Sequence, residues 1–144
     1  MQAIRIIEIP DCKMVSSGIG MFGEERFEAF NAWFSNLPRT KDARDFLAEA
    51  PGGVEWLYIY EDGMTVSERF NIVDFKGGLY AVNTDIDQRT DISAMDKELH
   101  AFLQENGFEQ DKSRSRMGNI ITPPQAKKLL GYNQMDYYMP IKAK

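Results

Sequence analysis

Asp136 stands in the closing run Met135-Asp136-Tyr137-Tyr138-Met139-Pro140-Ile141, where a carboxylate is interleaved with aromatic and apolar side chains. An acid among rings can draw a cation into an aromatic pocket, or serve as general base toward a water. Val54 to Tyr60 has a similar character, with Trp56, Tyr58 and Tyr60 at alternate positions and Glu55 as a second acid. Glu8 is a further carboxylate, expected on a solvated or rim position. Gly18-Ile19-Gly20-Met21-Phe22-Gly23 is a literal G-x-G-x-x-G, a spacing that lets backbone approach a pyrophosphate at a helix N-terminus. Glu24 and Glu25 would set negative charge against those phosphates, and no parallel strand follows soon after the next helix. The glycines therefore read as a strand-to-helix turn, and no dinucleotide is expected. His100 and Cys12 are the only residues of their types, so no metal constellation, nucleophile–base pair, cofactor or disulfide is expected.

The elements that must position these residues follow from the hydrophobic periodicity. Ala3 to Ile9 reads as a strand, Pro10-Asp11 as a turn or bulge, and Cys12 to Ser17 as extended again. Phe27, Phe30, Trp33, Phe34 and Leu37 recur at helical spacing behind Glu24, Glu25 and Arg26, and Pro38 ends that helix. Asp42 to Ala50 reads as a short helix stopped by Pro51-Gly52-Gly53. Val54 to Tyr60 and Glu68 to Phe75 read as a hairpin turned at Glu61-Asp62-Gly63. Leu79 to Asn83 is a strand, and Ile92, Met95, Leu99, Phe102 and Leu103 form the stripe of a second helix closed by Gly107. Asn119 to Thr122 is extended, a short helix runs from Pro123 to Leu130, and Met135 to Ile141 is the last strand.

Alternation then divides the strands into faces. Leu57 and Ile59 share one face, expected against the helices, while Trp56, Tyr58 and Tyr60 share the other. Met135, Tyr137, Met139 and Ile141 point one way; Asp136, Tyr138 and Pro140 point the other. If the second faces meet across a groove, the result is an aromatic-walled pocket containing an acid, suited to flat, apolar or cationic small molecules.

Strand pairs beside single helices predict an α+β fold: an antiparallel sheet with helices on one face and a ligand groove on the other. The pacing suggests two strand–helix–strand–strand modules, at about 1–75 and 76–144, within a single domain. The chain has 144 residues, 43% of them hydrophobic, enough to bury a core without staples. Its net charge of −5 and dispersed cations are the wrong balance for a nucleic-acid binder. No apolar run approaches a membrane span, no signal peptide precedes the first strand, and the cysteine is unpaired, so a cytoplasmic protein is expected.

Four segments together resemble the GyrI-like small-molecule-binding family, the effector-binding domain of AraC-type and MerR-type multidrug regulators. They are Ile4-Arg5-Ile6-Ile7-Glu8-Ile9-Pro10 with Met14-Val15, the helix carrying Phe27, Phe30 and Trp33, the strand Gly77-Gly78-Leu79-Tyr80-Ala81-Val82, and Met135 to Ile141. The resemblance implies two modules related by pseudo-twofold symmetry with a ligand groove between them, and adds Tyr80 to the ligand-binding set of Trp56, Tyr58, Tyr60, Asp136 and Tyr138. Where relatives often carry Phe-Glu-x-Tyr, this chain has Arg116-Met117-Gly118-Asn119, which removes a principal acid. No helix-turn-helix precedes Ala3, so direct DNA binding is not expected. What the resemblance implies first is a stand-alone binder of lipophilic or aromatic molecules, cationic ones among them. Its alternatives are a hydrolase of a reactive small molecule such as a cyclopropane-bearing genotoxin, with Asp136 or Glu55 as base, or an inhibitor with a protein partner such as gyrase.

Overall fold

The computed structural model describes residues 3–37 and 45–144. In chain order the elements are β1 (Arg5–Ile9), β2 (Cys12–Gly20), α1 (Glu25–Ser35), β3 (Asp45–Ala50), β4 (Gly53–Ile59), β5 (Asn71–Phe75), β6 (Gly78–Ile86), α2 (Ile92–Glu105), β7 (Phe108–Gln110), β8 (Met117–Ile120), α3 (Pro124–Leu130) and β9 (Gln134–Ala143). The fold is α+β, and the strand pairings described are antiparallel. The chain divides into two compact units, one holding the residues up to Ile9 together with Gly78–Lys144, the other Pro10–Gly77. Within the first the strand order is β1-β6-β9-β8, with β7 beside the far end of β9; within the second it is β5-β2-β4-β3. Each unit thus has two inner strands and one helix against them, and β1 belongs with the second half of the chain because it pairs with β6.

In the first unit, Met95, Leu99 and Leu103 of α2 pack on Ala81, Met139 and Ile141 from the two inner strands. Each leucine, isoleucine or methionine side chain so removed from water contributes about 1.5–3 kcal/mol before entropy is counted. The helix starts where Asp91 accepts the Ala94 N–H over 3.1 Å and ends before Gly107, whose φ of +77° suits glycine. In the second unit, Phe30 of α1 clusters with Val15, Tyr58 and Phe70. Short α3 buries no side chain at all, and Leu129 on it is 89% exposed. No helix among the described residues is long and apolar enough to cross a membrane.

Two expectations about elements are corrected. Residues 45–50 form strand β3, not a helix; residues 42–44 and Pro38 lie outside the described residues. Phe46 and Ala48 are buried with Leu47 and Glu49 more exposed between them, a two-residue period, and a full ladder to β4 outweighs the helix-favouring composition. The hairpin between Val54–Tyr60 and Glu68–Phe75 does not form either. β4 has β3 on one side and β2 on the other, so β5 pairs with β2 instead, from Cys12↔Phe75 to Ser16↔Asn71. The glycine run behaves as a turn. Gly18 (φ +77°) sits at a bulge in β2, and the Glu24 carboxylate accepts the Met21 N–H over 3.1 Å at the start of α1.

Candidate ligand-binding site

Residues directly opposite in an antiparallel ladder share a face, so the registers assign each side chain to a side. In the first unit Ala81 and Met139 face α2, which puts Tyr80, Val82 and Thr84 on the helix-free face with Pro140, Tyr138 and Asp136. Met117 and Asn119 from β8 extend that face, and Arg5 and Ile7 extend it at the β1 edge. The division expected for Met135 to Ile141 therefore matches these registers. Asp136, Tyr138 and Tyr80 are all buried, and the two tyrosine rings meet edge to face at 5.9 Å.

Among the described residues, Thr84 and Arg5 hold Asp136. Thr84 donates its hydroxyl to Asp136 Oδ1 over 2.5 Å, and Arg5 Nη2 bonds the same oxygen over 2.9 Å while also reaching Thr84 Oγ1 at 3.2 Å. Arg5 spans from the edge strand across β6 to do so. Beside it lies an open depression of about 560 Å³, whose lining includes Arg5, Thr84, Asp85, Ile86, Tyr132 and Gln134. Behind Tyr80, Arg114 stacks its guanidinium 4.7 Å from the ring centroid and donates to the carbonyls of Leu79 and Ile141, each at 2.9 Å. Asn119, opposite Asp136 on β8, is buried with no hydrogen-bond partner for Oδ1 among the described residues.

The aromatic strand of the second unit is oriented opposite to expectation. Tyr58 stands opposite Val15 and packs against α1, with Trp33 at 5.7 Å and Phe34 stacked at 5.6 Å. Trp56 touches Phe27, Phe30 and Phe34, and Tyr60 borders the same cluster. Trp56, Tyr58 and Tyr60 thus wall the helix core of their unit, while Leu57 and Ile59 face away from the helix. The physical reason is that α1 presents Phe30, Trp33 and Phe34, and ring-on-ring packing takes the aromatic side of β4 as its partner. Glu55 shares the face of Leu57, away from the helix, and is bonded by the Ser16 hydroxyl.

Tyr80, Asp136 and Tyr138 are accordingly brought together on one face of one unit, and Trp56, Tyr58 and Tyr60 are not on the corresponding face of theirs. Arg5, Thr84, Arg114 and Asn119 are additions. Thr84 was readable from the two-residue step beyond Tyr80 and Val82; the reach of Arg5 across a neighbouring strand has no sequence signal. Among the described residues no group of three His, Cys, Asp or Glu is placed to hold a metal ion.

No protein-family model and no curated protein sequence matches the chain. Solved structures do. The C-terminal domain of EcmrR superposes with a TM-score of 0.70 at 13% identity, covering 100% of this chain and 99% of that one. The GyrI-like fold is therefore this chain's fold. In the larger EcmrR–DNA complex the chain spans 58% of the EcmrR chain (TM-score 0.69, 13% identity, 99% of this chain). A hydrolase from Listeria innocua shares the GyrI-like architecture with a TM-score of 0.65 at 12% identity, over 96% of this chain and 91% of that one. SAV2435, solved bound to tetraphenylphosphonium, matches at 0.51 and 11% identity, over 97% and 94%.

Proposed function

We propose that this GyrI-like chain binds lipophilic or aromatic small molecules, cationic ones among them, on the helix-free face that carries Asp136. The observation that carries the reading is a buried carboxylate, anchored by Thr84 and Arg5, beside an open depression and next to the Tyr80–Tyr138 ring pair. Rings offer stacking area at low entropy cost, and the carboxylate supplies a charge-assisted partner for a cation. The likeness to SAV2435, which holds a lipophilic cation, supports the same chemistry.

A thermal-shift screen with planar cations, neutral aromatics and reactive electrophiles tests it, since a ligand bound only by the folded state raises Tm. Saturable shifts with aromatic compounds, reduced by Tyr138→Ala, are expected; a flat response to every class would overturn the reading. The hydrolase alternative, which the family resemblance implies, is supported by the likeness to a Listeria innocua hydrolase. Both candidate bases are already engaged by protein donors, Asp136 by Thr84 and Arg5 and Glu55 by Ser16. Product formation from a strained electrophile, abolished by Asp136→Asn or Glu55→Gln, would favour it.

A further inference from the structure

Asn119 carries an acceptor that nothing answers. The residue is 3% exposed, and its Oδ1 has no hydrogen-bond donor among the described residues. A buried amide oxygen in that state has lost water and gained no partner, which is costly to keep. Asn119 stands directly opposite Asp136 in the β8–β9 ladder, and Met117, two residues earlier, stands opposite Tyr138. The amide therefore lies on the helix-free face, beside the acid and one ladder step from the Tyr80–Tyr138 ring pair. Gln134, on the wall of the open depression, is two residues before Asp136 on the same face of β9. Asn83 provides an internal comparison. Its Oδ1 is buried and unanswered too, but it stands opposite Tyr137 on the face that packs against α2.

We propose that Asn119 is a specificity-determining residue that selects ligands able to donate a hydrogen bond. The class it favours is an aromatic molecule bearing an N–H cation, such as a primary ammonium or an amidinium, over a fully substituted onium. This rests on the reading of the Asp136 face as the binding face, and narrows it. A carboxylate attracts either kind of cation by charge. The Asn119 oxygen is a neutral acceptor, so it separates them by whether they have a proton to share. A site that accepts a buried N–H disfavours the analogue lacking it, because the acceptor is then left unpaired. Desolvation pulls the other way. A primary ammonium is more strongly hydrated than its trimethyl counterpart and loses more on entering an apolar face. A preference for the N–H form therefore requires fixed acceptors at the site.

Pyrenylmethylammonium and its N,N,N-trimethyl derivative test it, since both carry the same ring and a positive charge at about pH 7 and differ in N–H donors. Fluorescence titration of the wild type should show a preference of about tenfold or more for the primary ammonium. Asn119→Leu, which removes the acceptor at similar volume, should erase that preference, and Asn83→Leu should leave it intact. A second measurement needs no variant. In ¹⁵N spectra of the wild type, the Asn119 side-chain amide should shift saturably with the primary ammonium and much less with the trimethyl form. Equal affinities in the wild type, a preference that survives in Asn119→Leu, or an Asn119 amide that responds alike to both probes would overturn the proposal. Binding of both probes without an N–H preference overturns this inference alone. If neither probe binds, the reading of the face as a ligand site fails and takes the inference with it.

Discussion

The indole N–H of Trp56 donates to the Asp45 carboxylate over 2.8 Å, tying β4 to β3 on the side that packs against α1. Burial raises the Asp45 pKa, and the Trp56 bond only partly opposes that shift. A carboxyl whose folded pKa lies above its unfolded value holds its proton longer in the folded state. Stability from this group is therefore lost as pH rises from the unfolded pKa of about 4 through the folded one. Asp45→Asn keeps an acceptor for the indole and removes the ionisation. Urea titrations should find the variant gaining stability relative to wild type between about pH 4 and 7; a constant difference across that range would contradict the assignment.

The rings of Tyr58 and Trp33, 5.7 Å apart, place the aromatic side of β4 in the α1 core. Tyr58→Ala should cost about 3–5 kcal/mol, as large aromatic deletions in packed cores do. It should also change the emission of Trp33 and Trp56, whose neighbours it removes. Leu57→Ala, buried on the other face, should destabilise without moving that emission. Chemical denaturation followed by tryptophan fluorescence decides between them. A fully stable Tyr58→Ala would reverse the strand parity.

Acid should weaken the first unit through two aspartates. Ser113 and Arg114 hold the Asp111 carboxyl far below the usual carboxylate range, and Arg116 lowers that of Asp96 through a bidentate pair. Folded pKa values below the unfolded ones give stability that is present above the unfolded pKa and lost as pH falls from about 5 toward those low folded values. Asp111→Asn should flatten this acid limb. Equal slopes for wild type and variant in acid denaturation would remove Asp111 from the explanation.

Gly78 has φ +147°, and a Cβ placed there would lie 2.7 Å from Arg114 Cζ. The glycine leaves room for the guanidinium that stacks on Tyr80. Gly78→Ala should cost about 2 kcal/mol or more through strain and clash. Pairing it with Arg114→Met should recover part of that loss, which a double-mutant cycle in urea would measure. Strict additivity would mean the two residues do not share the space.

Much of the fold was legible because burial periods differ sharply between elements. The stripe of α2, the Asp136 side of β9 and the caps at Gly107 and Gly131 all follow from local pattern. Residues 45–50 were misread because their composition favours a helix and only the ladder to β4 makes them a strand. Strand parity in 54–60 was misread because alternation separates two faces without saying which one meets a helix. Trp56 and Tyr58 could have been assigned to the core from the ring-rich face of α1, a long-range match between elements and not a local signal. Arg5 was invisible for a related reason: its partner is 131 positions away and on a strand it does not pair with. The carboxylate at the centre of the candidate site was legible; the Arg5 guanidinium that bonds it was not.

Titration of uniformly ¹⁵N-labelled protein with tetraphenylphosphonium tests the central claim most directly. Saturable shifts concentrated at the amides of Thr84, Gln134, Asp136 and Tyr138, and lost in Asp136→Asn, are the predicted result. Shifts centred instead on Trp33, Trp56 and Tyr60, or no saturable shift at any residue, would contradict a binding face built on Asp136.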